Sequence, residues 1–466
     1  MTGSGMHDLV VIGAGPAGGN AALSAAQAGL DVLVIDEASQ PGGQVWRAPS
    51  LGVTPAADPD LTRGQAMRMA LENARIPIKT GLSVWSVAPI SDGFEIALAS
   101  EGGPEMVKAR RLLVATGAQE RVVPFPGWTL PGVFGLAAAT LMLKTENMLP
   151  GKRIVIAGQG PLLLAVAAKA LKLGKVPIAV VDYNGLGAWL RSVAGFARHL
   201  PSFGQGLTWQ AKLALGRVPI RRRSEITQAF ADNNGLLAEI EIAPLGRGRK
   251  QRLRVDTAFI GNGLVPGDEI LRLLGVKRVP DPMTGWRIAA DAHGRCGPSG
   301  LYVAGDAGRI RGALPAAAQG RRVGQVIARD AGITTSFDAV DEAPEFERFA
   351  DASCRLMQVD DARISTLPDE VILCRCEDVT VGMVRQAIAE GAQDANQLKH
   401  FTRLGMGPCQ ARMCGANAAA LLRSHAKVQP GAEYLTPRSP IRPVDITHMA
   451  GQFDYADIPV PKPAPL

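Results

Sequence analysis

Short apolar runs alternate with glycine-rich turns at the start of the chain. Residues 9–12 form an apolar run, residues 13–18 are rich in glycine, and residues 20–28 carry mostly small side chains. A second run, residues 31–35, ends on Asp36. Short apolar runs bounded by turn residues predict buried parallel strands, here joined by a helix.

The same order of elements returns in the middle of the chain. Residues 154–157 predict a strand, residues 158–160 a turn and residues 162–173 a helix, and residues 177–181 predict a strand that ends on Asp182. A repeated strand, turn, helix and strand unit indicates two nucleotide-binding folds in one chain. Further strands and hairpin turns are predicted at residues 111–115, 258–260 and 301–304 and at Asp92-Gly93 and Asn234-Gly235.

Length and composition agree with a multi-domain globular protein. The chain has 466 residues, which at about 150 residues per domain suggests roughly three domains. Hydrophobic residues make up 47% and charged residues 20%, so long-range disorder is not expected. Six cysteines are too few for a disulfide scaffold. No apolar stretch is long enough to span a membrane, and the first motif begins too early for a signal peptide, so the chain is expected to be cytoplasmic.

Positive charge is concentrated between residues 212 and 254, where there are ten Lys or Arg residues and only four Asp or Glu residues. Aromatic side chains are not interleaved there as a nucleic-acid binder requires, so nucleic acid is not a predicted partner. Two interpretations stay open for this stretch. It forms either a solvated pair of hairpin turns or a docking face for an acidic partner or a phosphate-bearing ligand.

The first glycine-rich turn has the layout of a dinucleotide site. Gly13 permits a tight turn, Gly15 lets the backbone approach a pyrophosphate, and Gly18 allows close packing of helix on strand. The helix N-terminus then holds the negative charge of the phosphates. Asp36, with Glu37 beside it, follows at the distance expected for an acceptor of ribose hydroxyls.

Three further segments favour FAD over NAD as the ligand of this site. Residues 41–44 (Pro-Gly-Gly-Gln) can run along a flavin, residues 115–117 (Ala-Thr-Gly) end a strand, and Asp306 after Gly305 can bind ribityl hydroxyls. The expected FAD residues are Gly13, Gly15, Pro16, Ala17, Gly18, Asp36, Glu37, Gly42, Gly43, Gln44, Arg47, Val84, Thr116, Gly117, Gly305 and Asp306.

In this order the segments resemble the flavoprotein family of disulfide reductases with two dinucleotide-binding domains. The resemblance covers residues 8 to about 333 and implies FAD at the N-terminal site. It also implies the fold class, α/β with two Rossmann-like domains. No Cys-x-x-Cys or Cys-x4-Cys pair lies beside the flavin segments, so disulfide reductase activity is not expected.

The second unit departs from that family. Gly158 and Gly160 are in place, but Leu163 occupies the position of the third glycine and is expected to push helix and strand apart or widen the turn. Asp182 can still hold a ribose. Three alternatives stay open: NAD(P)H, another adenine nucleotide such as ATP, or no nucleotide.

Four cysteines form two close pairs. Cys374 and Cys376 form one pair, and Cys409 and Cys414 form the other, with helical periodicity in residues 381–390 and 394–402 between them. Four thiolates can ligate a [2Fe–2S] cluster or a zinc ion, although Cys-x-Cys is a poorer fit to zinc, and unligated thiols are a third alternative. The segment resembles the bacterioferritin-associated ferredoxin type of [2Fe–2S] domain, and that resemblance implies all four cysteines as ligands.

The two-domain flavoprotein followed by this cysteine module resembles the alpha subunit of bacterial heteromeric amine dehydrogenases. That group includes opine oxidases, proline and hydroxyproline dehydrogenases and hydrogen cyanide synthase. Residues 261–266 and 437–443 also look like that group. The resemblance implies a catalytic beta subunit with its own FAD, a small third subunit in some complexes, FMN between subunits and ATP in the second domain. A respiratory carrier is the expected electron acceptor.

No catalytic residue is predicted in this chain, because its six histidines lie in no recognisable motif. Cys296 and Cys354 are expected to be buried or incidental thiols. Arg309, Arg311, Arg321 and Arg322 are interpreted either as a phosphate- or partner-binding group or as a solvated helix face.

The expected domains are a FAD domain (1–120 and 290–335), a degenerate nucleotide domain (121–289), a small helical [2Fe–2S] domain (365–425) and an extended, Pro-rich strap (426–466). The leading hypothesis is an electron-relay subunit. The alternatives are a self-contained NAD(P)H-dependent reductase and a non-enzymatic scaffold.

Overall fold

The computed structural model describes residues 5–54, 58–100, 103–281, 285–334 and 344–449. The prolines of the predicted strap from Pro459 onward lie outside these ranges. The predicted strands and helices are found within one to four residues of their expected bounds. The first elements are β1 (Leu9–Ile12), α1 (Pro16–Gln27), β2 (Val32–Asp36), α2 (Pro59–Asn73), β3 (Ile78–Thr80), β4 (Ser83–Ile90), β5 (Gly93–Ser100), β6 (Gly103–Ala109), β7 (Leu112–Val114) and β8 (Ala118–Glu120).

The second unit begins with a strand and a helix ahead of its glycine-rich turn. It also contains two helices that the sequence patterns did not predict, between its third and fourth strands. Its elements are β9 (Val133–Gly135), α3 (Leu136–Thr145), β10 (Ile154–Gly158), α4 (Pro161–Lys172), β11 (Ala179–Asp182), α5 (Leu186–Phe196), α6 (Leu200–Leu215), β12 (Ile220–Arg222), β13 (Ser224–Ala231), β14 (Leu237–Pro244), β15 (Gln251–Arg254), β16 (Thr257–Gly261) and β17 (Leu264–Pro266).

The chain then returns to the first unit and continues into the cysteine module. The returning elements are α7 (Glu269–Leu273), β18 (Arg278–Asp281), β19 (Gly285–Ile288), β20 (Leu301–Val303) and α8 (Ala313–Asp330). The C-terminal elements are α9 (Pro344–Leu356), α10 (Asp361–Ser365), β21 (Ile372–Cys374), β22 (Val379–Thr380), α11 (Val381–Ala389), α12 (Ala395–Thr402) and α13 (Gly415–His425).

Two parallel five-stranded sheets organise the molecule. The first has the strand order β20-β7-β1-β2-β3 and the second the order β12-β11-β10-β16-β9. Strands β1, β2 and β7 are buried along their whole length because helices α1 and α8 cover one face of the sheet and strands β4 to β6 cover the other, which explains their continuous apolar sequences. In both sheets the glycine-rich turn follows the central strand, so a ligand is expected at the carboxyl ends of the strands.

The cysteine module packs on the second unit rather than standing apart from it. One apolar core runs from Val155 and Ile240 of that unit to Val381 and Leu421 of the module. The indole Nε1 of Trp128 also donates to the carbonyl oxygen of Ile372 at 2.8 Å. The module is therefore held against the flavoprotein portion by a continuous hydrophobic core.

The segment after α13 runs back to the first unit. The backbone N–H of Ile441 donates to the carbonyl oxygen of Trp85 at 2.8 Å, and the hydroxyls of Ser439 and Ser86 lie 2.7 Å apart. Gln410 and Arg412 of the module donate to the carbonyl oxygens of Pro440 and Ile441 at 2.6 and 2.8 Å. The segment thus ties the cysteine module to the hairpin β4–β5.

Candidate flavin and iron–sulfur sites

The turn between β1 and α1 can be formed only by glycine at two positions. Gly13 has φ +102°, and a Cβ there would lie 2.4 Å from the carbonyl oxygen of Ala115. A Cβ on Gly18 would lie 1.8 Å from the carbonyl oxygen of Gly13. A Cβ on Gly15, in contrast, would meet nothing closer than the Cα of Gly43 at 3.8 Å. The space in front of α1 is therefore open, as a pyrophosphate at a helix N-terminus requires.

Asp36 closes this turn at the end of β2. Its Oδ2 accepts from the backbone N–H of Ala14 at 2.5 Å and its Oδ1 from that of Ala38 at 2.7 Å. Burial raises the pKa of Asp36. Each carboxylate oxygen keeps a lone pair for a ribose hydroxyl. Glu37 is exposed and lies 3.5 Å from the guanidinium of Arg442, so the structure does not direct it into the cleft.

The other expected FAD segments meet at the same cleft. The backbone N–H of Gly42 donates to the carbonyl oxygen of Ala14 at 2.9 Å, which brings residues 41–44 against the turn. A Cβ on Gly305 would lie 2.7 Å from the Cβ of Ala17, so that segment also borders α1. The Oδ1 of Asp306 accepts from the backbone N–H groups of Arg311 and Gly312, and burial raises its pKa.

Two remaining residues of the predicted set, Arg47 and Val84, and the neighbouring Trp46 have distinct surroundings. Arg47 lies close enough to Asp36 to lower the pKa of that carboxyl electrostatically. Val84 is buried in β4, two residues after Leu82, whose N–H donates to the carbonyl oxygen of Asp36, so this part of the chain borders the end of β2. The Nε1 of Trp46 is buried without a hydrogen-bond partner among the described residues. The cradle fits a dinucleotide, but the role of each residue stays a prediction.

The second glycine-rich turn differs from the first at its second glycine, because Gly160 has φ +90° where Gly15 has φ −71°. Gly158 has φ +140°, and a Cβ there would lie 1.8 Å from the carbonyl oxygen of Gly261. Leu163 is fully buried in an apolar core with Ile156 and Phe259. The leucine side chain therefore occupies the space between α4 and the sheet, and the wider spacing or wider turn expected from the sequence stays a prediction.

The segment after α9 covers this second turn. A Cβ on Gly160 would lie 2.6 Å from the Cγ of Met357, and one on Gly263 would lie 2.8 Å from the Met357 Cβ. The side chains of Gln159 and Asn184 donate to the carbonyl oxygens of Gln358 and Leu356 at 2.6 and 2.9 Å. The turn that was expected to receive a nucleotide is therefore in contact with the chain itself.

Asp182 is fully buried and already bonded on both oxygens. Its Oδ1 accepts from the backbone N–H of Asn184 at 2.9 Å and its Oδ2 from the Nε1 of Trp189 at 2.8 Å. Arg222 lies 3.6 Å from the Oδ2. Asp182, Gly158 and Gly160 were predicted to bind a second nucleotide. For that role, residues 356–358 would have to move and Asp182 would have to become accessible.

Glu120 is an ionisable residue that the sequence patterns did not single out. It lies at the N-terminus of α3, where its Oε1 accepts from the backbone N–H of Ala137 at 2.8 Å. Burial raises its pKa to about 7. Because an unfolded glutamate titrates near pH 4.3, the folded chain binds more protons than the unfolded chain between these values, and stability falls as pH rises from about 4 to 7.

We expect Glu120→Gln to remove this pH dependence. The amide oxygen can still accept from Ala137, but no charge is buried at neutral pH. Between pH 5 and pH 8 the parent should lose up to about 3 kcal/mol of unfolding free energy that the variant keeps. The thermal midpoint of the variant should therefore change less between these two pH values than that of the parent. Equal pH dependence in both proteins would contradict the prediction.

The four cysteines of the C-terminal module lie together, as two contacting pairs. The thiols of Cys374 and Cys414 hydrogen-bond each other, and Cys376 and Cys409 form a second bonded pair. Cys374 and Cys414 are buried, whereas Cys376 is exposed. Among the described residues, no three His, Cys, Asp or Glu side chains converge as ligands of a single metal ion. Two pairs of thiols fit the two irons of a [2Fe–2S] cluster better than they fit one zinc.

Backbone N–H groups of the surrounding loops point at the sulfurs. Cys374 has its pKa lowered to about 6 by the Cys414 thiol and then by backbone N–H groups that include that of Gly405. Gln410 and Ala411, between the second pair, adopt the left-handed region with φ +47° and +65°. Two consecutive left-handed residues other than glycine cost free energy, and such strain is typical of a functional loop.

The cluster loop contacts a segment that also contacts the flavin cleft. The guanidinium of Arg412 lies 3.2 Å from the carboxylate of Glu269. Two residues earlier, the backbone N–H of Gly267 donates to the carbonyl oxygen of Gly117 at 2.9 Å, and its carbonyl oxygen accepts from the hydroxyl of Thr116 at 2.5 Å. One short segment, residues 267–269, thus links the two candidate cofactor sites.

The arginines after Gly305 do not face a phosphate. Arg309 forms ion pairs with Asp281, Glu347 and Asp351 at 2.8 to 2.9 Å, and Arg311 pairs with Glu347. Because both arginines are paired within the chain, a solvated helix face does not describe them, whereas binding of a phosphate or a partner stays a prediction. They tie α9 to the segment ahead of α8, and the acids that pair with them were not apparent from the local sequence.

Two sequence families match the two portions of the chain. The pyridine nucleotide-disulphide oxidoreductase family matches residues 7–320, and the BFD-like [2Fe-2S] binding domain matches residues 372–424. The opine oxidase A subunit of Rhizobium meliloti (strain 1021) is 34% identical over 470 residues, covering 96% of this chain and 98% of that protein. The chain belongs to the family of opine oxidase A subunits. Hydrogen cyanide synthase subunit HcnB of Pseudomonas aeruginosa is 30% identical and covers 93% of this chain and 96% of that protein.

A solved structure of L-proline dehydrogenase from P. horikoshii has the same fold, with a TM-score of 0.70 at 20% identity over 96% of this chain and 80% of that one. These matches confirm the predicted family, the two-domain flavoprotein fold and the small cluster domain. Like the opine oxidase A subunits, the chain is an oxidoreductase, and it carries FAD and a [2Fe–2S] cluster. No helix among the described residues is long and apolar enough to cross a membrane.

Proposed function

We propose that the chain is the electron-relay subunit of a heteromeric dehydrogenase. A partner subunit with its own FAD oxidises the C–N bond of an amino acid or secondary amine, such as an opine, proline or hydroxyproline, to an imine that hydrolyses. Electrons then pass through the flavin and cluster of this chain to a respiratory acceptor. When bound, a flavin exchanges electrons singly or in pairs, and a [2Fe–2S] cluster accepts one at a time.

The observation that carries this proposal is the link between the two cofactor sites. Residues 267–269 hydrogen-bond the flavin segment at Gly117 and also pair with Arg412 in the cluster loop. We assign Cys374, Cys376, Cys409 and Cys414 as cluster ligands, and the residues around Gly15, Asp36 and Asp306 as the FAD site. The chain's own residues bind, orient and shield these groups, and none is assigned as an acid or base.

Relatives support the substrate class and the partner. Opine oxidase A subunits and hydrogen cyanide synthase subunit HcnB align over nearly the full chain. The alpha subunit of sarcosine oxidase from Rhizobium meliloti (strain 1021) is 24% identical over 91% of this chain, although this chain spans only 40% of that protein. Each name denotes one subunit of a larger enzyme, so a catalytic beta subunit, an interfacial FMN and a small third subunit belong to the proposal.

The self-contained NAD(P)H-dependent reductase is the weaker alternative. Met357 contacts Gly160 and Gly263 where a dinucleotide would approach the second turn, and Asp182 is fully buried. The same contacts weigh against ATP in that position. The intact glycine cradle and the paired cysteines weigh against a scaffold without cofactors.

We expect NADH and NADPH to leave the flavin of the purified chain oxidised. In an anaerobic titration, the visible flavin absorbance should stay unchanged with excess nicotinamide and bleach on addition of dithionite. Adding the partner subunit with its amine substrate should also bleach the flavin, which serves as the positive control. Bleaching by stoichiometric NADH or NADPH would overturn the relay and identify a pyridine-nucleotide reductase.

A further inference from the structure

A cavity of about 900 Å³ lies under helices α5 and α6, outside the glycine cradles. Ligand pockets commonly enclose about 300 to 1,000 Å³, so its size suits a drug-sized molecule. Five aromatic side chains line it, which favours a flat, apolar ligand. These side chains are Trp189, Phe196, Phe203, Trp209 and Phe349.

One end of the cavity borders the flavin cleft. Arg311 and Gly312 line it, and their backbone N–H groups donate to Asp306 at 2.7 and 3.0 Å. Lys144 also lines it and donates to the carbonyl oxygen of Val45, the residue after the Pro-Gly-Gly-Gln segment. A ligand in the cavity would therefore lie beside the FAD assigned above.

The cavity also offers a hydrogen-bond donor. Arg222 lines it, and the Nη1 of its guanidinium is buried without a hydrogen-bond acceptor among the described residues. Its nearest charged neighbour is Asp182, with an N···O distance of 3.6 Å. A carbonyl oxygen on an aromatic ligand would satisfy this donor, because an unpaired buried N–H is costly.

The outer faces of α5 and α6 have the character of a membrane-surface element. Between residues 183 and 224 there are seven Lys or Arg residues and no Asp or Glu. Exposed leucines accompany them, with relative exposures of 52 to 84%: Leu186, Leu190, Leu200, Leu207 and Leu215. Apolar side chains combined with unopposed positive charge are typical of helices that lie in the headgroup region of anionic lipid.

We propose that α5 and α6 rest on an anionic membrane surface and that the cavity beneath them binds a lipid-soluble quinone. This inference rests on the proposed function, and it makes FAD rather than the cluster the group that delivers electrons to the respiratory acceptor. Transfer of two electrons and two protons from reduced FAD converts the quinone into a quinol and leaves oxidised FAD. A protein partner on the same helices is the competing occupant, and a membrane is favoured because the exposed leucines of both helices lie in a stretch that carries seven cations and no acid.

Two glycines on α6 allow a matched test of the cavity. Gly206 lines it and Gly204 does not, and a Cβ on either would meet nothing within 4 Å. Gly206→Trp should fill the cavity and weaken decylubiquinone binding at least about tenfold, while Gly204→Trp should bind like the parent. Binding is measured on the assembled complex by ultrafiltration, with free quinone quantified by its absorbance.

Vesicles test the membrane surface without any turnover. The complex should sediment with vesicles containing phosphatidylglycerol, weakly with pure phosphatidylcholine, and less as salt rises. Leu200→Glu combined with Leu215→Glu, two exposed leucines that do not line the cavity, should abolish sedimentation, whereas Leu236→Glu, an exposed leucine on the β13–β14 turn, should not. The proposal would be overturned if the parent does not bind vesicles and the double variant loses its partner subunit. The two helices would then form a protein interface.

The outcomes separate this inference from the proposed function. The quinone site is overturned if no quinone binds, or if Gly206→Trp and Gly204→Trp bind it equally. The relay can still hold in that case, provided that the partner's substrate reduces the flavin. Bleaching of the flavin by NADH overturns the relay, while quinone and vesicle binding are measured without electron transfer and stand independently.

Discussion

Replacing Cys376 by serine is expected to remove the [2Fe–2S] cluster while leaving the fold and the flavin in place. The hydroxyl has nearly the size of the thiol but is a harder and far less acidic ligand, so it holds iron poorly. Cys376 is exposed and contributes little to the core, so the loss should not unfold the module. Iron content should fall to below about a tenth of the parent value, with the cluster's visible absorbance lost in parallel.

Cys296→Ser is the matched control for this experiment. Cys296 is buried, and the nearest acceptor for its thiol is the carbonyl oxygen of Leu301 at 3.8 Å. Burial raises the pKa of Cys296 to about 12, so it is a neutral thiol with no role in binding metal. The control should keep full iron and full flavin. Normal iron in Cys376→Ser, or equal iron loss in both variants, would contradict the ligand assignment.

Elements tied to glycine-rich turns were predictable from the sequence alone. The strand Leu9–Ile12 and the helix Ala395–Thr402 were anticipated to within about one residue because a short local pattern specifies each of them. The four cysteines were likewise predictable as a group, since their spacing and helical context are local. Local rules succeed where backbone geometry, as at Gly13 with φ +102°, excludes other residues.

Features created by long-range contacts were not predictable. Met357 reaches Gly160 from far along the chain, and no local pattern marks it as a cover for the second turn. The ion pairs of Arg309 and Arg311 could not be predicted because Glu347, which pairs with both, lies far along the chain. The raised pKa of Glu120 arises from burial at the start of α3, which depends on how the domains pack.

Replacing Gly15 by valine is expected to abolish FAD binding without disturbing the chain around it. Gly15 lies outside the left-handed region, with φ −71°, so valine causes no backbone strain. An added Cβ meets no atom closer than 3.8 Å, so the methyl groups project into the open space in front of α1. That space is where a pyrophosphate would approach the helix N-terminus, and bulk there excludes it.

The measurement is FAD released per chain, with retained cluster absorbance as the test of folding. FAD content should fall to below about a tenth in Gly15→Val and only partly in Gly15→Ala, whose single methyl makes an ordinary contact with Gly43. Gly187→Val is the matched control, because Gly187 is exposed on α5 and far from the cradle in sequence. Full FAD in Gly15→Val would place the cofactor elsewhere. A graded loss from glycine to alanine to valine, with the control unaffected, would tie FAD to this turn, because only excluded volume at one position differs among the three.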